Sequence, residues 1–251
     1  MNKHLQKEPI FQFAKARAEF IKQNGNWKEE TLQSFVQETN LESIFHIAID
    51  KAIRDIHAEA KNREGAVVKD YHTTLLCTAF KYFGPPKPGS SEMGGWFFAS
   101  YWVGDGGAAI LRWNDHDRVL VLGEPDGGEF AGQTRFLTIP DEIQPETIKR
   151  RLRFSFCDSF ESLLLVTDGI TDPFFPSEVA VLDEQRWLEF YETKLKEGCV
   201  EEPNGCPEVF DENKSSEEKS RVLLKWLDFW SKGNHDDRTI LIVKPKLIQN
   251  R

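Results

Sequence analysis

Between residues 41 and 56 the apolar side chains Leu41, Ile44, Phe45, Ala48, Ile49, Ala52, Ile53 and Ile56 recur every three or four positions. That period lays them along one face of a helix. Thr39 and Glu42 are spaced as a capping box in front of it, and Gly65 follows as a stop. An earlier helix is expected over residues 11–23, ending at the turn Asn24-Gly25-Asn26. From Ala66 onward the pattern changes to short apolar runs separated by turn formers, which is a strand signature. Strands are predicted at 72–82, 96–103, 108–113, 119–122, 135–139, 152–157, 162–167 and 239–243, with a Pro/Gly/Ser-rich link, GPPKPGSSEMGG, over 84–95.

Two further helices are expected near 177–197 and 216–231, the latter with Val222, Trp226, Phe229 and Trp230 as its apolar stripe. Residues 198–215 are acidic and rich in turn formers, and read as a surface excursion. Helices first, then strands, then helices interleaved with the last strands describe an α+β protein. A single domain over 1–251 is expected, with a helical layer at 1–64 and the sheets at 65–244. There is no internal repeat.

The chain has 251 residues, a formal net charge of −9 and 39% hydrophobic residues. The hydrophobic share suits a packed core and rules out a disordered chain. The acidic balance, with no basic cluster, argues against nucleic-acid binding. No run approaches the ~20 apolar residues that span a bilayer, and the N-terminus lacks the apolar core of a secretory signal. A cytoplasmic protein without a membrane role is expected. Cys77, Cys157, Cys199 and Cys206 are too sparse for a disulfide framework and have no zinc-knuckle spacing, so idle or buried thiols are expected.

Three aspartate groups follow apolar strands at sharp turns: Gly104-Asp105-Gly106, Asp168-Gly169-Ile170-Thr171-Asp172 and His235-Asp236-Asp237. Carboxylates at strand ends are the hard oxygen donors that Mg²⁺ or Mn²⁺ prefers. Two such ions can share a hydroxide and polarise a phosphoryl group. Taken singly, each group reads more readily as an ordinary turn or a solvated cap than as a ligand set. His235 is read as a general acid, an outer partner of the site, or simply a solvated side chain.

Order and context together resemble the metal-dependent protein phosphatase 2C family, in its divergent bacterial branch. Residues 163–172, LLLVTDGITD, look like that family's strand followed by Asp-Gly-x-x-Asp. Residues 234–243, NHDDRTILIV, are similar to its terminal Asp-Asn/Asp-x-Thr/Ser strand, and 103–111, VGDGGAAIL, to its Gly-Asp-Ser/Gly hairpin. Thr73-Thr74-Leu75 resembles the strand start before that hairpin, and 128–138, GEFAGQTRFLT, the segment after it. The resemblance runs from about Phe45 to Val243. It implies an α-β-β-α sandwich of antiparallel sheets flanked by helices. It also implies Asp168 and Asp236 as ligands of a catalytic Mg²⁺ or Mn²⁺ pair, and Asp105 and Asp172 as holders of a third, weaker ion. Gly169 and Asp237 would lie just behind the ligands, while Thr73 and Thr74 would be structural. The implied reaction is attack of a metal-bridging hydroxide on a phosphoserine or phosphothreonine ester of a protein, made by a partner serine/threonine kinase. A haloacid-dehalogenase reading of the same Asp-Gly fails, because Val166 stands where the nucleophilic aspartate is needed.

Nothing before Gly65 matches the family's opening strands, with their phosphate-gripping arginine and Asp-Gly-x-Gly turn. Asp126-Gly127-Gly128 resembles that turn but comes after the Asp105 hairpin. The chain is therefore expected to be N-terminally truncated relative to the family, to hold its metals weakly, and to act either as the phosphatase or as an inactive pseudophosphatase that binds a phosphoprotein or another partner.

Overall fold

The structure, a computed structural model, describes residues 36, 40–84, 95–113, 118–126, 134–197, 205–231, 233 and 236–245. In chain order the elements are α1 (Leu41–Asn62), β1 (Leu75–Tyr82), β2 (Trp96–Val103), β3 (Gly107–Leu111), β4 (Val119–Val121), α2 (Pro145–Arg151), β5 (Leu152–Cys157), β6 (Ser162–Val166), α3 (Asp168–Phe174), α4 (Glu184–Leu188), α5 (Ser216–Leu227) and β7 (Ile240–Val243). They form two antiparallel sheets, β1-β2-β5 and β4-β3-β6-β7, each carrying helices, so the class is α+β as expected. The described residues divide into two compact units, one drawn from 1–104 and 134–159, the other from 105–133 and 160–251.

In the first unit the period-3.6 face of α1 meets the period-2 face of its sheet. Ile49 and Ile53 pack with Tyr101, Val103 and Leu152, joined by Ile148 of α2, while Leu41 packs with Phe97 and Ala99. Ile47, off that stripe, is 67% exposed. Of the expected capping box, only Glu42 lies among the described residues. Thr39 lies outside the described residues, and the residue in the cap position is Asn40, left-handed at φ 55° and without a side-chain cap bond. Glu42 therefore falls at the second helical position, and from there it pairs with Lys149 at 3.3 Å.

The strand expected at 135–139 is a turn. Leu137 donates to Thr73 O at 2.8 Å and Ile139 donates back to Phe136 O at 3.1 Å, and Pro140, which has no N–H, opens the next turn. That turn carries Glu142, fully buried, whose carboxylate takes two hydrogen bonds from Arg151 at 2.6 and 2.9 Å. Arg151 also donates to Trp102 O at 3.1 Å.

In the second unit, Trp187, Phe190, Tyr191 and Leu195 are buried, and Phe175 lies against both Trp187 and Phe190. The single helix expected near 177–197 is three pieces: a 3-10 segment at Glu178–Leu182, then α4, then a π-helical stretch at Glu189–Glu197. The break falls at Asp183, whose side chain caps Gln185 N–H at 2.9 Å while the Trp187 indole takes Val181 O at 2.7 Å. Ser215 and Glu218 form a complete capping box for α5. This helix ends at Leu227, short of 231; Trp226 and Phe229 are buried, but Trp230 is 73% exposed and leaves the predicted stripe.

Part of the expected surface excursion is packed. Cys206 and Val209 are buried, and Cys206 N–H bonds to Leu195 O at 2.8 Å. Burial pushes the Cys206 thiol up to about 12, aided by Glu208, and raises that of Cys77 as well, so neither is a ready nucleophile. The helix expected at 11–23, residues 85–94 of the link, 128–133, and 198–204 with Cys199 lie outside the described residues. So do Asn234 and His235.

Candidate functional site

The register of the second sheet brings the three aspartate groups to one end. Gly107 at the start of β3 pairs with Val166 at the end of β6, and Val166 pairs with Ile240 at the start of β7. Asp105 stands two residues before β3, Asp168 two after β6, and Asp236 and Asp237 shortly before β7, so all emerge beside one another within the second unit.

Hydrogen bonds tie the three segments together, one between main chains and the others through the Thr167 and Thr171 hydroxyls. Thr167 N–H donates to Thr239 O at 3.1 Å, Thr239 N–H donates to Thr167 Oγ1 at 2.9 Å, and that hydroxyl reaches Asp237 O at 3.4 Å. Thr171 Oγ1 reaches Asp105 O at 3.3 Å and Asp168 O at 3.4 Å. Two glycines permit the approach. A Cβ on Gly106 would fall 2.5 Å from Val166 O, and one on Gly169 would fall 2.5 Å from Asp237 O and 3.1 Å from Asp236 O.

Asp168 is not on the plain turn that its sequence suggests. It opens α3, with Thr167 as the cap residue, and Gly169 N–H donates to its Oδ1 at 2.8 Å. A carboxylate there is favoured by the helix dipole. Burial nonetheless holds the carboxyl above its ordinary range, and the neighbouring charges of Asp105 and Asp236 raise it further, against the Gly169 bond that lowers it. Asp172 lies one turn further along α3 and is exposed, as are Asp236 and Asp237.

In chemistry this donor set fits a hard divalent cation: carboxylate oxygens only, crowding one another so that a cation would relieve their repulsion. In arrangement it is not yet a cage. Among the described residues no three or more His, Cys, Asp or Glu gather so as to hold an ion. Asp105, Asp168 and Asp236 are thus electrostatic neighbours.

Thr73 and Thr74 belong to the first unit, where Thr74 packs against Gly104 and Thr73 O accepts from Leu137. Asp126 follows β4 in irregular chain; the two glycines after it are outside the described residues. Sequence reasoning missed Thr167 and Thr171. Their signal was the Thr-x3-Thr spacing around Asp168-Gly169, which on a helix start sets both hydroxyls toward the neighbouring segments.

A family model described as protein phosphatase 2C matches residues 13–198. It begins earlier than the recognisable motifs and ends before Asp236. The chain is similar to a mutated bacterial serine phosphatase, 11% identical over 91% of this chain and 77% of that one, with a TM-score of 0.39. It is also similar to the phosphatase domain of the cell fate determinant SpoIIE from Bacillus subtilis, 13% identical over 81% of this chain and 72% of that one, with a TM-score of 0.33. No curated protein matches. Among the described residues no helix is long and apolar enough to cross a membrane.

Proposed function

From the premise that the chain belongs to the protein phosphatase 2C family, we propose that it is a metal-dependent serine/threonine protein phosphatase, and that Asp168 is the centre of its site. The observation that carries this is the convergence of Asp105, Asp168 and Asp236 at one end of the second sheet, where burial first, and then the charges of Asp105 and Asp236, raise the Asp168 carboxyl. Asp168 and Asp236 would hold the catalytic Mg²⁺ or Mn²⁺ ions, and Asp105 with Asp172 a further, weaker one. When bound, such ions supply an activated water and polarise the phosphoryl group. The chain's own part is positional. Gly169 N–H orients the Asp168 carboxylate, and Thr167 and Thr171 hold the segments of Asp237 and Asp105 against it. Gly169 lets Asp236 and Asp237 approach closely.

The substrate would be a phosphoserine or phosphothreonine protein, made by a serine/threonine kinase, in the cytoplasm and without nucleic acid or membrane. The test compares wild type with Asp168→Asn on p-nitrophenyl phosphate and on a phosphothreonine peptide with Mn²⁺. Metal-dependent turnover that falls by about 100-fold or more is expected, and equal rates would overturn the reading. A second reading is favoured by the lack of a closed three-ligand group among the described residues. In it the chain binds a phosphoprotein or another partner without hydrolysis. Its mark is phosphopeptide binding with no turnover at any Mn²⁺ concentration, and only millimolar metal affinity by calorimetry.

A further inference from the structure

Arg238 lies between the aspartates at 236–237 and the threonine that pairs with Thr167, and its side chain runs to the end of α5. Its stem passes over Gly169, where Cγ would sit 3.0 Å from a Cβ. Its guanidinium lies 3.9 Å from the centre of the Phe229 ring. Nη1 donates to Leu227 O at 2.9 Å and also to Phe229 O. These carbonyls belong to the end of α5 and its exit, where a helix leaves acceptors unpaired and favours a cation. Nε is buried without a hydrogen-bond partner among the described residues, so the fork is aimed at the helix end rather than fully satisfied.

The same helix end also grips α3. Phe174, the last residue of the helix that Asp168 opens, stacks on Trp226 at 5.7 Å and meets Phe229 edge-on at 5.1 Å. A closed circuit results: Asp168 and Gly169, α3 to Phe174, the aromatics of α5, Arg238, and back through the 236–238 segment to Gly169. We propose that Arg238 is a positioning residue, which fastens the Asp236 segment against Asp168 by clamping it to the C-terminal end of α5. Its Nη1 is committed to two carbonyls at that helix end. Lysine could not replace it fully, since a point charge cannot bond two carbonyls and cover a ring with one planar fork.

The test has one arm free of metal and one that rests on the proposed phosphatase site. Arg238→Met keeps the stem over Gly169 and removes the donors. Hydrogen exchange should then show the Thr167 and Thr239 amides losing about tenfold or more in protection, while Ala109 and Ile110 in the middle of the β3–β6 ladder keep theirs. Unchanged protection at Thr167 and Thr239 would overturn the proposal. Arg238→Lys, chosen in case the methionine variant does not fold, should lose part of that protection. Protection equal to wild type there would also overturn it.

In the second arm, calorimetry should show Mn²⁺ binding about five- to tenfold weaker in Arg238→Met. In an Asp236→Asn background the same change should cost nothing further, because a residue acting through Asp236 is silent once that carboxylate is gone. Equal losses in both backgrounds would mean that Arg238 acts elsewhere. Should wild type take up no Mn²⁺, the phosphatase reading fails, and the exchange arm still decides the role of Arg238.

Discussion

Glu142 and Asp168 are two carboxylates in the two halves of the molecule, and their surroundings are opposite. Glu142 is fully buried, yet both its oxygens receive hydrogen bonds from Arg151, with Arg135 at 3.7 Å. Glu161 repeats the pattern within the second unit: it is 4% exposed and is met by Lys196 at 2.5 Å, Tyr191 at 3.0 Å and Arg118 at 3.4 Å. Asp168 is less buried, but its charged neighbours are two more aspartates. A buried carboxylate with a matched cation is a closed structural unit. A carboxylate crowded by like charges, on segments tied by threonine hydroxyls, has no such internal partner. Depth of burial therefore does not separate these two carboxylates by kind, and the sign of their neighbours does.

Breaking the closed pair should have the largest effect. Glu142→Gln leaves Arg151 as a buried charge without its counter-ion, which costs about 3–5 kcal/mol and should lower Tm by about 10 °C. The paired replacement Glu142→Leu with Arg151→Met should recover most of that loss, because removing both charges removes the desolvation cost as well. Thermal melts of the single and double variants check this. A double variant no more stable than the single one would show that the pair is not an isolated unit.

Gly169→Ala moves the comparison to the aspartate site. The added methyl would sit 2.5 Å from a main-chain carbonyl, which cannot rotate away as a side chain could. The segment carrying Asp236 and Asp237 must therefore shift, at a cost of about 1–3 kcal/mol. Tm should fall by about 5 °C, and Mn²⁺ affinity should fall with it. Unaltered metal binding in a folded Gly169→Ala protein would separate Gly169 from the site.

The sheet cores were legible because period and turn formers agree there. Trp96–Val103 and Leu152–Cys157 keep their expected bounds, and α1 buries Leu41, Ile49 and Ile53 of the expected stripe, with the rest of it half-buried. The convergence of Asp105, Asp168 and Asp236 could be expected only through a family resemblance, since strand register is not written in any one strand. The short helix α3 was hidden because Gly169 and Pro173 are poor helix formers. The proposed positioning role of Arg238 was invisible, because its hydrogen-bond partners are main-chain carbonyls eleven and nine residues away, and a carbonyl leaves no mark in a sequence. The expected strand at 135–139 fails for a related reason: its residues serve a turn tied to β1's approach through Thr73 O and through His72, which bonds Thr138 and stacks on Phe136.

The smallest effect separates the two kinds of carboxylate most directly. Burial and like charges raise the Asp168 carboxyl, so the folded state holds its proton more tightly than the unfolded chain does. Above the folded value the ionised group costs stability; as pH falls through that value the cost is relieved, and it is gone below the unfolded value. Asp168→Asn keeps an oxygen for Gly169 N–H and removes the charge. Without metal at pH 7 it should therefore melt about 1–2 °C higher than wild type, with the advantage shrinking in acid. Adding Mn²⁺ should reverse the order, since an ion bound only by the folded wild type stabilises it in proportion to the logarithm of its concentration. Melts with chelator and with Mn²⁺, at pH 7 and pH 4, check both halves. An Asp168→Asn protein that melts below wild type in chelator at pH 7 would mean that the aspartate is a satisfied structural group like Glu142, and the contrast between them would be lost.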